Sequence, residues 1–255
     1  MLELKRLWAG YGEEPVLREV DACFPAGRLT AVVGPNGCGK STLLRAAARL
    51  ISPSSGQVLL DGQADVPRRE YARRVAYLPQ ARDVPAITVE GLVSHGRFPH
   101  LGFPRILSPE DRAAVRAAME RTGAAAFRER ELARLSGGER QKAYLAMLLA
   151  QQADTLLLDE PTTYLDIRHQ LEVLALLREL AAEGRAVAAV LHDLDAALRR
   201  ADQLLVLDQG RIAAAGTPGE ILASGVLRRV FGVEVRRLVQ DGRSGFVFDP
   251  AEQAE

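Results

Sequence analysis

The 255-residue chain carries 33 basic and 33 acidic residues and is 47% hydrophobic. That length suits one large domain or a core with an embedded lobe, and the zero net charge argues against a nucleic-acid binder that works through bulk charge. Cys23 and Cys38 form no Cys-x-x-Cys pair, the opening MLELKRLWAGYG is too polar for a signal peptide, and no apolar run approaches the roughly 20 residues of a membrane-spanning helix. The expectation is a soluble chain with reduced thiols, whose membrane role, if it has one, comes through partners.

In chain order, LELKRLWA (2–9) and VLREVDACF (16–24) alternate apolar and polar residues, as half-buried antiparallel strands do. RLTAVV (28–33), TLLLD (155–159) and AVAAVL (186–191) are continuous apolar runs, which fit strands buried on both faces of a parallel sheet. LLVLDQGRI reads as a hairpin turning at Asp208–Gly210. Ser108 followed by Pro109, Glu110 and Asp111 predicts a helix start with an acidic first turn, and Thr217, Pro218 and Glu220 predict a capping box. Strands dominate to about residue 80, whereas 88–154 reads as helix and loop alone. The pattern predicts an α/β core of 1–87 and 155–255 with a helical lobe, 88–154, inserted in it.

Gly34-Pro35-Asn36-Gly37-Cys38-Gly39-Lys40-Ser41 fits G-x-x-x-x-G-K-[ST] and sits between an apolar strand and a helix pattern from Thr42 to Leu50. Glycines let backbone N–H groups wrap phosphates, and the helix behind aims its positive end at them. Lys40 is the residue to reach the β- and γ-phosphates, Ser41 to ligate Mg²⁺, and Cys38 a small filler. In TLLLDEP, Asp159 ends a buried strand as the second Mg²⁺ residue, and Glu160 is placed to polarise an attacking water. Both carboxylates at a buried strand end need compensation, which points to a nucleotide hydrolase rather than a binder.

LARLSGGERQK (132–142) opens a helix on Ser136, Gly137 and Gly138. Two adjacent glycines cost a helix about 1 kcal/mol each relative to alanine. What they offer is bare backbone N–H groups for something anionic. With LSGGE about twenty residues ahead of LLLDEP, the chain resembles the ATPase subunits of ABC transporters. The resemblance implies a P-loop NTPase core, a RecA-like parallel sheet plus an antiparallel β subdomain, with ATP and Mg²⁺ as cofactors. It implies a head-to-tail homodimer in which Ser136, Gly137 and Gly138 cap the γ-phosphate of ATP held by the other subunit. It further implies that Gln80 in YLPQ contacts Mg²⁺ and water, that Tyr11 in AGYG stacks on adenine, that His192 touches the γ-phosphate, and that Asp166 in TTYLD bridges the two sites, with Tyr164 and Leu165 at the interface.

HGRFPHLG (95–102), EPTTYLDIRHQ and VLHDLDAALRRAD resemble, more narrowly, the ATPases that import ferric siderophores, haem or cobalamin, from which the chain departs by carrying Asp195 in place of asparagine. This implies a peripheral subunit on the cytoplasmic face of the membrane, working with transmembrane permease subunits and indirectly with a solute-binding protein. The segment Leu92 to Phe103, with Arg97, Phe98 and Pro99, is expected to dock the permease. His95 and His100 are not expected to bind metal, because a chelate would cross through the permease. The alternatives are the ATPase of another ABC transporter, or a soluble ABC ATPase of DNA repair or translation. The last calls for a second cassette, a long coiled coil or a basic face, and the sequence has none of them; no nucleic-acid partner is expected.

Overall fold

In a computed structural model, residues 1–12, 14–80, 84–240 and 243–251 are described. The alternating N-terminal segments form β1 (Leu2–Tyr11) and β2 (Glu14–Phe24), which pair antiparallel, and β1 also pairs with β4 (Ser55–Leu60) in a three-stranded sheet. Their inward residues Leu2, Leu4, Leu7, Leu17, Val20 and Phe24 are buried.

The continuous apolar runs form the second sheet. It comprises β3 (Leu29–Val33), β5 (Val75–Leu78), β6 (Thr155–Leu158), β7 (Ala186–Val190), β8 (Gln203–Asp208) and β9 (Arg211–Gly216), in the order β5-β6-β7-β3-β8-β9. All pairs are parallel except β8–β9, the expected hairpin, in which Asp208 faces Arg211 across Gln209 (φ 45°) and Gly210 (φ 78°). Two left-handed residues in a two-residue loop match the right-handed twist of the strands they join.

One core lies between the two sheets and takes in Leu43 and Leu44 of α1 (Lys40–Ala47); α2 (Arg68–Arg74) adds the buried Tyr71. The other covers the opposite face of the larger sheet with α5 (Gly137–Ala150) and α6 (Ile167–Ala182) and extends into α3 (Val89–His95) and α4 (Pro109–Thr122). Between β5 and β6 the described elements are α3, α4, α5 and two short 3-10 turns. The chain ends with α7 (Leu194–Arg200), α8 (Pro218–Ala223), α9 (Val226–Phe231) and a hairpin of β10 (Val233–Gln240) and β11 (Arg243–Pro250). The capping boxes at Ser108 and Thr217 form as the sequence predicts.

One expectation is corrected here. Arg97, read as a docking residue, is only 6% exposed. Its guanidinium donates to Asp111 Oδ1, to the Ala150 carbonyl and to Gln152 Oε1, each at 2.8 Å, and so ties α3, α4 and the end of α5 together. Burial pushes the Asp111 carboxyl up, but the Ser108 backbone N–H and Arg97 outweigh it and hold the group below the usual carboxylate range. A depressed carboxyl stabilises the fold above its ordinary pKa and loses that contribution as the pH falls through the depressed one. Arg97→Ala strands a buried charge, and urea unfolding of the full chain at neutral pH is expected to show a loss of about 3–5 kcal/mol.

Candidate nucleotide site

The 34–42 loop joins β3 to α1 and needs its glycines for different reasons. A Cβ on Gly34 would lie 2.1 Å from the Leu207 carbonyl oxygen, so the loop packs there without side-chain room. Gly39 caps α1 at φ 106°, a conformation that L side chains rarely adopt. Cys38 turns its side chain into the core between the sheets, where burial pushes the thiol up, in keeping with a filler. Lys40, itself buried, donates to the Gly34 carbonyl at 2.8 Å and to the Pro35 carbonyl at 2.9 Å, which keeps its ammonium over the loop.

The parallel sheet brings the end of β6 beside α1. Ser41 Oγ donates to Asp159 Oδ1 at 3.0 Å, and Tyr77 OH to Oδ2 at 3.2 Å. Burial pushes the fully enclosed Asp159 carboxyl up, against the two hydroxyls, and no side-chain cation bonds it among the described residues. A buried carboxylate facing a serine hydroxyl, answered only by neutral donors, has the oxygen-rich chemistry that suits a hard divalent cation. Sequence reading missed the support behind it. Arg45 Nη1 donates to Tyr11 OH at 3.0 Å and Nε to Tyr77 OH at 3.4 Å, so the half-exposed Tyr11 ring is anchored to the same network. Arg45 stands one helical turn after Ser41, which is the signal that could have found it.

Glu160 is a non-glycine residue at φ 52°, which turns its side chain out of the strand end. Three groups converge on it. His192 Nε2, just past β7, lies 2.5 Å from Oε1; Gln80 Nε2, just past β5, donates to Oε2 at 2.6 Å; and Thr163 Oγ1 donates to Oε2 at 2.9 Å. The first two are residues the sequence singled out, brought together by three neighbouring strands; Thr163 was not foreseen.

Ser136 is the N-cap of α5 in a capping box: its hydroxyl accepts from Glu139 N at 3.3 Å, and Glu139 Oε2 accepts from Ser136 N and Oγ at 2.9 Å each. The S-x-x-E spacing was legible, though the residues read only as a phosphate contact. Beside it, Gly137 and Gln141 face Gln80, Glu160 and Tyr164 across a cleft. Among the described residues beyond its own helix, the atom nearest to a Cβ on Gly137 would be the Tyr164 carbonyl oxygen at 3.9 Å, so packing against them does not demand glycine there. Asp166 caps α6 and bonds His169 at 2.9 Å, while Tyr164 is 95% exposed. Asp195, the departure noted in the sequence, forms an i,i+4 pair with Arg199 at 2.7 Å.

Residues 17–163 match the family model described as ABC transporter. A ferric enterobactin transport ATP-binding protein of Escherichia coli (strain K12) is 45% identical, over 90% of this chain and 86% of its own. A cobalamin import ATP-binding protein of Halobacterium salinarum is 47% identical, over 86% of this chain and 56% of its own. Among solved structures, an ATP-binding cassette in a dimeric post-hydrolysis state bound to ADP and Pi superposes with a TM-score of 0.74 at 25% identity, covering 86% of this chain and 99% of that one. With this match and these identities, and with the phosphate loop, the paired carboxylates just past β6 and the LSGGE helix start on one chain, the protein belongs to the ABC transporter ATP-binding family.

Proposed function

We propose that the chain is the ATP-hydrolysing subunit that energises a membrane importer of an iron chelate, with cobalamin as the second reading. The observation that carries the hydrolytic part is Glu160, aimed and held by Gln80, His192 and Thr163 next to the Ser41–Asp159 pair. Backbone N–H groups of the loop from Gly34 to Thr42, Pro35 apart, and the Lys40 ammonium hold the phosphates, and Tyr11 offers its ring to adenine. Ser41, Asp159 and Gln80 are the residues that would hold Mg²⁺, which when bound neutralises charge on the β- and γ-phosphate oxygens. Glu160 takes the proton of a water as its oxygen attacks the γ-phosphorus; the bond to the β-phosphate oxygen breaks, giving ADP and phosphate. His192 and Gln80 keep the carboxylate in line.

In this reading Ser136, Gly137 and Gly138 complete the site of a second copy, with Asp166 between the two sites. The room for a Cβ at Gly137 among the described residues supports it, since a close external approach is what would require glycine there. The dimer works on the cytoplasmic face with a permease, and indirectly with a solute-binding protein. No helix among the described residues is long and apolar enough to cross a membrane, so the partner supplies the passage. The names of the two relatives and the HGRFPHLG segment support the iron-chelate or cobalamin class, and the helical lobe at 88–154 is the part that meets the permease. There Phe98 (41% exposed), Phe103 (100%) and Ile106 (69%) form an apolar set on one loop. Phe98 stacks on His95 at 4.6 Å and lies under the Arg105 guanidinium at 5.2 Å, which fixes its ring at the surface.

Phe98→Asp tests this assignment. Because the ring is not in the core, the isolated variant is expected to fold and bind ATP, while permease-stimulated hydrolysis and uptake fall about tenfold or more, as for loss of an interface anchor. Normal stimulation in that variant, or unfolding of the chain alone, would remove Phe98 from the docking surface.

A further inference from the structure

The loop that bears Phe98 and Phe103 is fastened to the core from one side. Arg69 and Arg73, one turn apart on α2, direct both guanidinium groups at three consecutive carbonyl oxygens of that loop. Arg69 Nε donates to Pro99 at 3.3 Å, and its Nη2 to Leu101 at 2.5 Å and to His100 at 3.4 Å; Arg73 Nε donates to Pro99 at 3.0 Å. Charge-assisted donors in a planar fork hold a backbone in direction as well as in place. A second tie runs beneath. Gln151 Nε2 donates to the Ala72 carbonyl at 2.6 Å and the Val75 carbonyl at 3.1 Å, while the Gln151 carbonyl bonds His100 Nε2 at 2.8 Å.

What the clamp grips leads straight to the nucleotide site. α2 ends at Arg74 and β5 begins at Val75 with no intervening loop. Among the described residues β5 is an edge strand that pairs with β6 alone, and the Leu78 carbonyl accepts from Asp159 N at 2.8 Å. Two residues beyond Leu78, Gln80 bonds Glu160. From Arg73 to Gln80 the chain is therefore one short helix end and one short strand.

From this continuity we infer that Arg69 and Arg73 are positioning residues that couple the docking loop to Gln80 and Glu160, so that a displacement of the loop is delivered to the carboxylate through α2 and β5. The inference rests on the ATPase reading above. Coupling between sites is reciprocal, so nucleotide at the site must also alter the loop, and this can be read without the permease.

The test is amide hydrogen exchange over residues 97–106 of the full chain, with and without the non-hydrolysable analogue AMP-PNP and Mg²⁺. In the wild-type chain nucleotide is expected to change exchange there by about fivefold or more. In Arg69→Ala/Arg73→Ala, where the Gln151 tie alone remains, that nucleotide-dependent difference should fall to less than half while AMP-PNP affinity is unchanged, since neither arginine touches the site. Arg73→Ala alone, which leaves the Arg69 bonds intact, should lose part of it. A purely structural clamp would raise exchange in the loop equally with and without nucleotide. That result, or a full nucleotide-dependent difference persisting in the double variant, would overturn the inference. Failure of the wild-type chain to bind AMP-PNP would instead strike the ATPase reading itself and is measured separately.

Discussion

Glu160→Gln is expected to lower ATP turnover by about 10²–10⁴-fold, the range general-base removal gives, with nucleotide affinity nearly unchanged. The substitution keeps the shape of the side chain, so the contacts from Gln80 and Thr163 to Oε2 have a carbonyl oxygen to reach. What it removes is the capacity to take the proton. In the proposed function binding rests elsewhere, on the 34–42 loop and Lys40, and should survive. A site that binds but does not hydrolyse accumulates its ATP-bound form, so size-exclusion chromatography with ATP should show the dimer enriched over wild type. Near-normal turnover would refute the role given to Glu160.

The second large effect is expected at the start of α5. Ser136→Arg removes a helix cap, which costs about 1 kcal/mol and leaves the fold standing. If Ser136 serves a second copy's nucleotide, monomeric ATP binding should hold while dimerisation is blocked and hydrolysis drops by about 10²-fold or more, as when preorganised donors to a transferring group are lost. Mixing this variant with Lys40→Ala joins an intact phosphate loop to an intact LSGGE turn once per heterodimer, and dimer formation should return. A crosslink between position 136 and ATP bound by its own subunit would contradict the arrangement.

How much of this was legible follows from what each residue depends on. The phosphate loop was, because its function is carried by backbone conformation, and glycine spacing encodes that directly. The two sheets were, because apolar runs and alternation mark buried and half-buried strands before any contact forms. Thr163 and the Arg45–Tyr77 support were not. Their roles exist only once β5, β6 and α1 lie side by side, and nothing in a hydroxyl or a guanidinium announces such a neighbour. Arg97 misled for a related reason. Sequence adjacency to Phe98 suggested a shared surface, but the 96–101 turn sends the two side chains opposite ways, one into a buried ion pair and one outward. The clamp of Arg69 and Arg73 lay still further out of reach, since it joins a core helix to carbonyls some thirty residues on.

In the proposed function, ATP hydrolysis by this chain drives import through a membrane partner. The direct measurement is uptake into proteoliposomes holding the chain with the permease recovered alongside it from membranes, using ferric enterobactin and cobalamin as separate probes. ATP-dependent accumulation of one probe is expected, lost with Glu160→Gln and with Phe98→Asp while the complex stays assembled in the former. ATP hydrolysis that proceeds without accumulation of either probe, in a chain recovered with DNA or ribosomes instead of a permease, would contradict it.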